Sequence, residues 1–419
     1  MIASVTVVGA SLAGLSTARA LRAQGYQGRL TVVGAEHHAP YDRPPLSKEY
    51  LAGTLDRAEL DLLTPEDDAL GADWLLGRTA TALDTDERAV VLDGGERLVS
   101  DAVVIATGAR ARQLPGPALA GPAPAGPALA GPGLAGPGLA GPALAGVHTV
   151  RTVDDATALR AELLPGARLV LIGGGFIGAE IASTASGLGL DVVVVEAMGV
   201  PLAGPLGTEI GQACAALHEE HGVRLITGVP VRRVLGIDRV RAVQLADGRE
   251  LPADVVVVGI GATPCVEWLA GSGLAVDAAS GGVRTDAYCA TEVPGVVAVG
   301  DCASAYRRRA GGPVRLEHWT NALKHPASAA ATLLGAPTPP SADHEVPYFW
   351  SEQYGARLQF AGHRVHGDQV EVIEGDVDAG NFLAVYRRDG EPVAVFAMNR
   401  PKPFVRWRRE LASRATAAV

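Results

Sequence analysis

The stretch SVTVVGASLAGLSTARALRAQGYQGRLTVVGAE, residues 4–36, decides the fold. A valine-rich run ends in Gly9-Ala10-Ser11-Leu12-Ala13-Gly14, a helical stretch follows, and a second apolar run, LTVVGAE, closes on Glu36. This is the strand, turn, helix, strand plan of a dinucleotide-binding unit. Glycine at the first position permits a tight turn, and small residues let the backbone approach a pyrophosphate. The free amides and macrodipole of the helix N-terminus favour that negative charge. Ser11 stands where the fingerprint has its second glycine and is small enough to serve. Glu36 lies at the spacing of the carboxylate that accepts hydrogen bonds from a ribose.

The plan returns at residues 168–196. Here the turn Gly173-Gly174-Gly175-Phe176-Ile177-Gly178 is a complete fingerprint, and the next strand, DVVVVE, ends on Glu196. A carboxylate at Glu196 accepts from a free ribose 2'-hydroxyl and repels a 2'-phosphate. The following AMGVPLAG holds no arginine to attract that phosphate, so NADH is expected over NADPH. Two such units imply two dinucleotides, and a hydride donor beside a bound flavin is the usual reason to need both. Gly261, at the end of the buried valine strand that begins at Val255, is a further expected cofactor contact.

The expected fold class is α/β, with two Rossmann-like domains for FAD and NAD and a smaller α+β C-terminal domain. That last domain is expected from the alternating FLAVYRRDGEPVAVFAM, in which Asp389-Gly390 marks a hairpin. The expected layout is a discontinuous FAD-binding domain at 1–113 and 263–328, an NAD-binding domain at 147–262 and a C-terminal reductase domain at 329–419. Residues 114–146 form an insert built on the repeat GPALA GPAPA GPALA GPGLA GPGLA GPALA, Gly116 to Ala145. Without charges or aromatic residues, and with a proline in each unit, this insert reads as an extended linker of no chemical consequence.

Composition narrows the function. Of 419 residues, 48% are hydrophobic and 20% charged, as in a globular protein, and the net charge of -10 disfavours nucleic acid as a partner. No apolar run is long enough to span a bilayer, and the chain begins directly with a strand, so a cytoplasmic location is expected. Cys214, Cys265, Cys289 and Cys302 are too dispersed for a redox pair or a metal site and read as buried small residues. Two basic clusters, Arg307, Arg308, Arg309 and Arg315, and then Arg400, Lys402, Arg406, Arg408 and Arg409, are candidate docking patches.

Further segments carry a resemblance. Tyr41-Asp42-Arg43-Pro44-Pro45-Leu46-Ser47-Lys48, Ala106-Thr107-Gly108, Gly300-Asp301, Arg315-Leu316-Glu317-His318-Trp319-Thr320-Asn321-Ala322 and FWSEQYG at 349–355 follow one another along the chain. Together they resemble the oxygenase-coupled NADH:ferredoxin reductases among the glutathione-reductase-like flavoproteins. The resemblance implies that Arg43 contacts FAD and that Lys48 sits by the isoalloxazine, paired with Glu180 near the nicotinamide. It implies that Asp301 bonds the ribityl chain, that Trp319 borders the pyrimidine end with Glu317 and His318 beside it, and that Arg151 contacts the flavin. Arg112 and Ala80 are weaker transfers, the latter a backbone contact at adenine. The first turn supplies Gly9, Ser11, Ala13 and Gly14, and the second Gly173, Gly175, Ile177 and Gly178. The family has an acid where this chain has Ala35, so either Ala35 or Glu36 meets the FAD ribose. After EHW the family has a glutamine-glycine pair where this chain has His325 and Pro326, and Pro326 is expected to interrupt or begin a helix.

The implied reaction is hydride transfer from NADH to FAD, with Lys48 and Glu180 tuning charge. Single electrons then pass to a small iron–sulfur ferredoxin that supplies a monooxygenase or Rieske dioxygenase. No cysteine precedes Cys214, which argues against the disulfide and coenzyme A-disulfide substrates of related enzymes. The alternatives are an NADH oxidase or rubredoxin reductase, and, from another class, a flavin-based redox-sensing interaction protein.

Overall fold

Strands buried on both faces read as unbroken runs of β-branched residues. The structure, a computed structural model describing residues 2–114, 144–337 and 346–417, builds two parallel sheets from such runs. In the first sheet the order is Val296–Ala298, Ala102–Ile105, Ser4–Val8, Arg29–Gly34, Ala72–Leu76, all parallel. In the second it is Arg224–Thr227, Asp191–Glu196, Arg168–Ile172, Val255–Val258, Val147–His148, again all parallel. Each residue of Val255–Val258 is at most 4% exposed, and burying one valine side chain contributes about 1.5–3 kcal/mol.

The fingerprint turns pack backbone on backbone. Gly9 has φ +122°, and a Cβ there would lie 2.1 Å from the Ala106 carbonyl oxygen; at Gly173, φ +107°, it would lie 2.3 Å from that of Gly259. Both turns therefore require glycine in the sense the sequence anticipates. Each opens a helix, Leu12–Ala23 in the first unit and Phe176–Gly187 in the second.

The helix Trp319–Leu334 lies against Leu12–Ala23 and runs unbroken through Pro326, contrary to the expectation of an interruption there. Proline removes one hydrogen bond and costs roughly 3 kcal/mol in a helix interior. The buried side of this helix, Ser328, Ala329, Ala330 and Ala331, fits the first sheet's helix closely, and that packing outweighs the loss.

The C-terminal unit is a five-stranded antiparallel sheet ordered Tyr348–Gln353, Ala356–Gly362, Glu391–Met398, Asn381–Arg388, Gln369–Asp376. The hairpin at Asp389-Gly390 is present, with both residues at positive φ, 52° and 82°, as a two-residue turn between right-twisted strands demands. One face of the sheet takes Phe404 and Leu411 from the helix Pro401–Ala417. The other takes Ile210, Cys214 and Leu217 from the helix Thr208–Glu220. The repeat insert lies almost wholly at 115–143, outside the described residues. Among the described residues no helix is long and apolar enough to cross a membrane.

Candidate functional site

A cavity of about 680 Å³ opens beside the first fingerprint turn and runs to the seam between all three parts of the chain. Gly9, Ser11 and Ala13 form its floor at one end, with Ala35 and Glu36 at the tip of the second strand. Ser11 caps the helix Leu12–Ala23 without a side-chain hydrogen bond to it, so no side chain competes for the amides of the first turn. Gly14 stands behind this floor: a Cβ on it would meet the Gly9 carbonyl oxygen at 1.9 Å. Its role is to let the helix close on the turn.

At the same end an arginine orders three segments. Arg43 donates to Glu36 Oε1 at 2.6 Å and to the Arg151 carbonyl at 2.6 Å, and its guanidinium lies 5.0 Å from the centre of the Tyr41 ring. The Tyr41 hydroxyl donates to the other oxygen of Glu36. The carboxylate at the strand tip is thus held by two side chains, while Ala35 offers only backbone. Arg151 Nη2 bonds Asp301 Oδ2 at 2.8 Å. Thr107 and Gly108 line the wall, where Thr107 Oγ1 donates to the Cys265 carbonyl at 2.6 Å. Ala80 lines the opposite wall.

Towards the other end come Glu317, His318 and Trp319. Trp319 Nε1 donates to Asp42 Oδ1 at 2.8 Å, and burial of Asp42 raises its carboxyl pKa despite that bond. Burial, with the Arg307 charge added, pushes the His318 imidazole down to about 4, and its Nδ1 is buried without a partner. Beyond it Ile177 and Glu180 reach into the same cavity from the second unit's helix, and Phe349 and Trp350 from the C-terminal sheet. Lys48 Nζ lies 2.9 Å from Glu180 Oε2, with the two side chains only 14% and 4% exposed. Removing one partner of so buried a pair costs about 3–5 kcal/mol, because a lone charge is left behind.

The second turn forms its own cradle. Gly175 caps the helix Phe176–Gly187 and carries no side chain. Glu196 accepts from the Gly174 and Met198 amides, both at 2.8 Å, which fixes its carboxylate over the turn. A Cβ on Gly178 would meet the Gly173 carbonyl oxygen at 2.2 Å, repeating the packing of Gly14. Gly261 accepts a hydrogen bond from the Arg112 amide, and the Arg112 side chain bonds the Ala262 carbonyl at 3.2 Å. Gly14, Gly173, Gly175, Gly178, Glu196, Gly261 and Arg112 therefore do not line the large cavity.

The donor set fits a flavin dinucleotide. The glycine turn and uncapped helix start suit a pyrophosphate, the Glu36 carboxylate suits a ribose, and the long apolar-walled space beyond suits a ring system. The orphaned His318 Nδ1 marks a polar group awaiting a partner in that wall.

Several lining residues carried no assigned role in the sequence: Tyr41, Asp42, Ser47, Phe349 and Trp350 all sit in segments noticed only for their resemblance. Ser351, which bonds Glu180, sits in the same FWSEQYG segment but carried no role of its own, because a buried serine in a strand leaves no periodic signal. Two expectations need correcting. Cys265 is half-buried and lines the cavity, whereas the other three cysteines are buried. The Arg307 to Arg315 cluster is only partly open: Arg307 is 7% exposed and the Arg315 side chain bonds Glu317 and the carbonyls of Ser280 and Asp301, whereas Arg308 is exposed.

Comparison with known proteins agrees with this geometry. Residues 3–325 match the family model of the pyridine nucleotide-disulphide oxidoreductases, and residues 348–419 match the reductase C-terminal domain. The chain is 38% identical to the ferredoxin reductase component of chlorobenzene dioxygenase from Cupriavidus sp. (strain PS12), over 99% of this chain and 94% of that one. It is 35% identical to rhodocoxin reductase from Rhodococcus erythropolis, over 98% and 90% respectively. Putidaredoxin reductase, solved in covalent complex with putidaredoxin, superimposes with a TM-score of 0.86 at 32% identity, covering 98% of this chain and 93% of the other. With its paired dinucleotide turns, its cavity and its C-terminal sheet, the chain belongs to the pyridine nucleotide-disulphide oxidoreductases, in their ferredoxin reductase branch.

Proposed function

We propose that the chain is an FAD-dependent NADH:ferredoxin reductase, passing electrons one at a time to a small iron–sulfur protein that serves an oxygenase. One observation carries the reading: Ile177 and Glu180, on the helix that opens at the NAD-type turn, line the same cavity as Ser11, Arg43 and Asp301 of the flavin-type turn. The working ends of the two dinucleotides would meet there, at Lys48. The relatives named as ferredoxin reductase components support the acceptor, and a dioxygenase or a haem monooxygenase is the class of customer.

FAD, when bound, accepts hydride and releases electrons singly, which no side chain of this chain could do. The protein's part is to hold and orient. Gly9, Ser11 and Ala13 seat the pyrophosphate, with Gly14 letting the helix close behind it, and Glu36, held by Arg43 and Tyr41, takes the ribose. Thr107, Gly108, Arg151, Asp301, Glu317, His318 and Trp319 border the remainder of the flavin, with Ala80 near the adenine. Gly173, Gly175, Ile177 and Gly178 seat NADH, and Glu196 selects it over NADPH. Lys48 supplies positive charge where negative charge develops, and Glu180 fixes its position. Arg112, a weaker candidate for the FAD, and Gly261, a further cofactor contact, are hydrogen-bonded to each other through their backbones. We assign residues 1–113 and 263–328 to the flavin domain, 147–262 to the NAD domain and 329–419 to the reductase domain. A donor drawn from the intracellular nicotinamide pool supports a cytoplasmic setting.

The test is an anaerobic stopped-flow record of the flavin-loaded protein mixed with NADH or NADPH, then with a ferredoxin. Rapid bleaching by NADH, slow bleaching by NADPH and recovery on adding ferredoxin are expected. Bleaching without recovery would move the acceptor to oxygen or another carrier, and no bleaching would sink the enzyme.

A further inference from the structure

The Glu180 carboxylate, 4% exposed, is gripped by groups from the two other parts of the chain. Its Oε2 accepts from the Ser47 hydroxyl and from Lys48 Nζ, and its Oε1 accepts from Ser351 Oγ at 2.8 Å. Ser351 is wholly buried and itself accepts from Gln353 Nε2 at 3.1 Å. A serine hydroxyl has one proton to give, and a carboxylate only accepts. With Gln353 donating to its oxygen, Ser351 turns that proton to Glu180.

This arrangement is poor packing for its own sake. The strand Tyr348–Gln353 turns Phe349, Ser351 and Gln353 to one side, against the helix Phe176–Gly187. Phe349 fills that contact with an aromatic edge on Phe176, whereas Ser351 and Gln353 bring polar atoms into it, and Gln353 Oε1 is buried with no partner. Apolar residues would seal the interface without that penalty.

We infer that Ser351 is a positioning residue for hydride transfer: held by Gln353, it fixes Glu180, and through it Lys48, so that the C-terminal sheet completes the site. The inference rests on reading the cavity as the place where flavin and nicotinamide meet. Without the Ser351 proton the charge on Glu180 is less neutralised, Lys48 is drawn more fully to it, and less positive field reaches the cavity.

Two quantities test this on the FAD-loaded protein: the midpoint potential of the bound flavin, titrated chemically against a reference dye, and the limiting rate of bleaching by NADH. Ser351→Ala is expected to keep its flavin, to melt a few degrees lower because Glu180 and Gln353 each lose a buried partner, to lower the potential and to slow bleaching about tenfold, the value of one hydrogen bond to a charged group. Ser351→Thr, which keeps the hydroxyl, restores both. In a Glu180→Ala background, Ser351→Ala changes neither. Gln353→Met, expected to shift both in the same direction by less, carries the test if the alanine variant loses flavin. An unchanged potential or bleaching rate in Ser351→Ala overturns the inference. So does an equal loss in the Glu180→Ala background, which would make Ser351 a packing residue. Failure of the underlying reading looks different, since the wild-type protein itself would not bleach with NADH.

Discussion

At the scale of one residue, the proposed choice between two nearly identical donors rests on Glu196. Its carboxylate is pinned by the Gly174 and Met198 amides rather than left to swing, so a 2'-phosphate could not push it aside without breaking both bonds. Glu196→Gln keeps the size and removes the charge. It is expected to narrow the preference for NADH over NADPH by about tenfold or more, from the loss of like-charge repulsion at close range. The ratio of kcat/KM for the two donors, measured with an artificial acceptor, checks this. Equal preference before and after would place the discrimination elsewhere on the turn.

At the scale of elements, the helix Pro401–Ala417 presents a basic surface that the fold leaves open. Lys402, Arg406 and Arg409 follow one another along one face, all exposed, and Arg406 pairs with Glu374. Beside them the Arg408 guanidinium covers the Tyr348 ring at 4.5 Å, and Tyr348 stacks on Trp350 in the cavity wall. An acidic ferredoxin fits this face. Changing Lys402 and Arg409 together to Glu is expected to raise the KM for ferredoxin several-fold at low salt and to leave NADH-to-dye turnover as it was. The difference should fade as salt screens the charges over roughly 10 Å at 0.1 M. Steady-state kinetics at two ionic strengths would show it, and an equal loss with dye would refute the docking role.

The whole molecule carries a pH dependence that its net charge does not reveal. Burial pushes His218 down to about 4, and burial together with Arg307 pushes His325 down to about 3. Both are neutral in the folded protein at pH values where the unfolded chain, titrating near 6.5, already binds protons. Their contribution is therefore complete above about pH 6.5 and is lost as pH falls from there towards 4 and 3. Each is worth about 1.4 kcal/mol per pH unit in that window. The melting temperature should fall steadily between pH 6.5 and 4.5, and less steeply in His218→Leu. A parallel slope in that variant would show that the histidine is not the cause.

The insert also belongs to this scale. Its two flanks, Leu114 and Leu144, both pack against the core cluster that holds Val170, Val256 and Val258. Replacing residues 115–143 with a few glycines and serines is expected to leave flavin stoichiometry and the rate of reduction by NADH unchanged, as absorbance and stopped flow would record.

The sequence by itself determined the two dinucleotide units, because their signals are local. A tight turn needs glycine at Gly9 and Gly173, a parallel strand buried on both faces needs a valine run, and a ribose carboxylate must lie at fixed distance from its turn. It also determined the hairpin at Asp389-Gly390, where two positive φ angles select the residues. Only the tertiary structure decided which distant groups share a cavity. Ser351 and Glu180 are 171 residues apart, and Trp319 and Asp42 are 277 apart; no periodicity encodes such meetings. It decided too that Pro326 could sit inside a helix and that Arg307 would be buried, since both depend on neighbours supplied by other segments. Local geometry can be read from a chain one turn at a time. The energy of burial is set by what arrives from elsewhere, and that is where the site was completed.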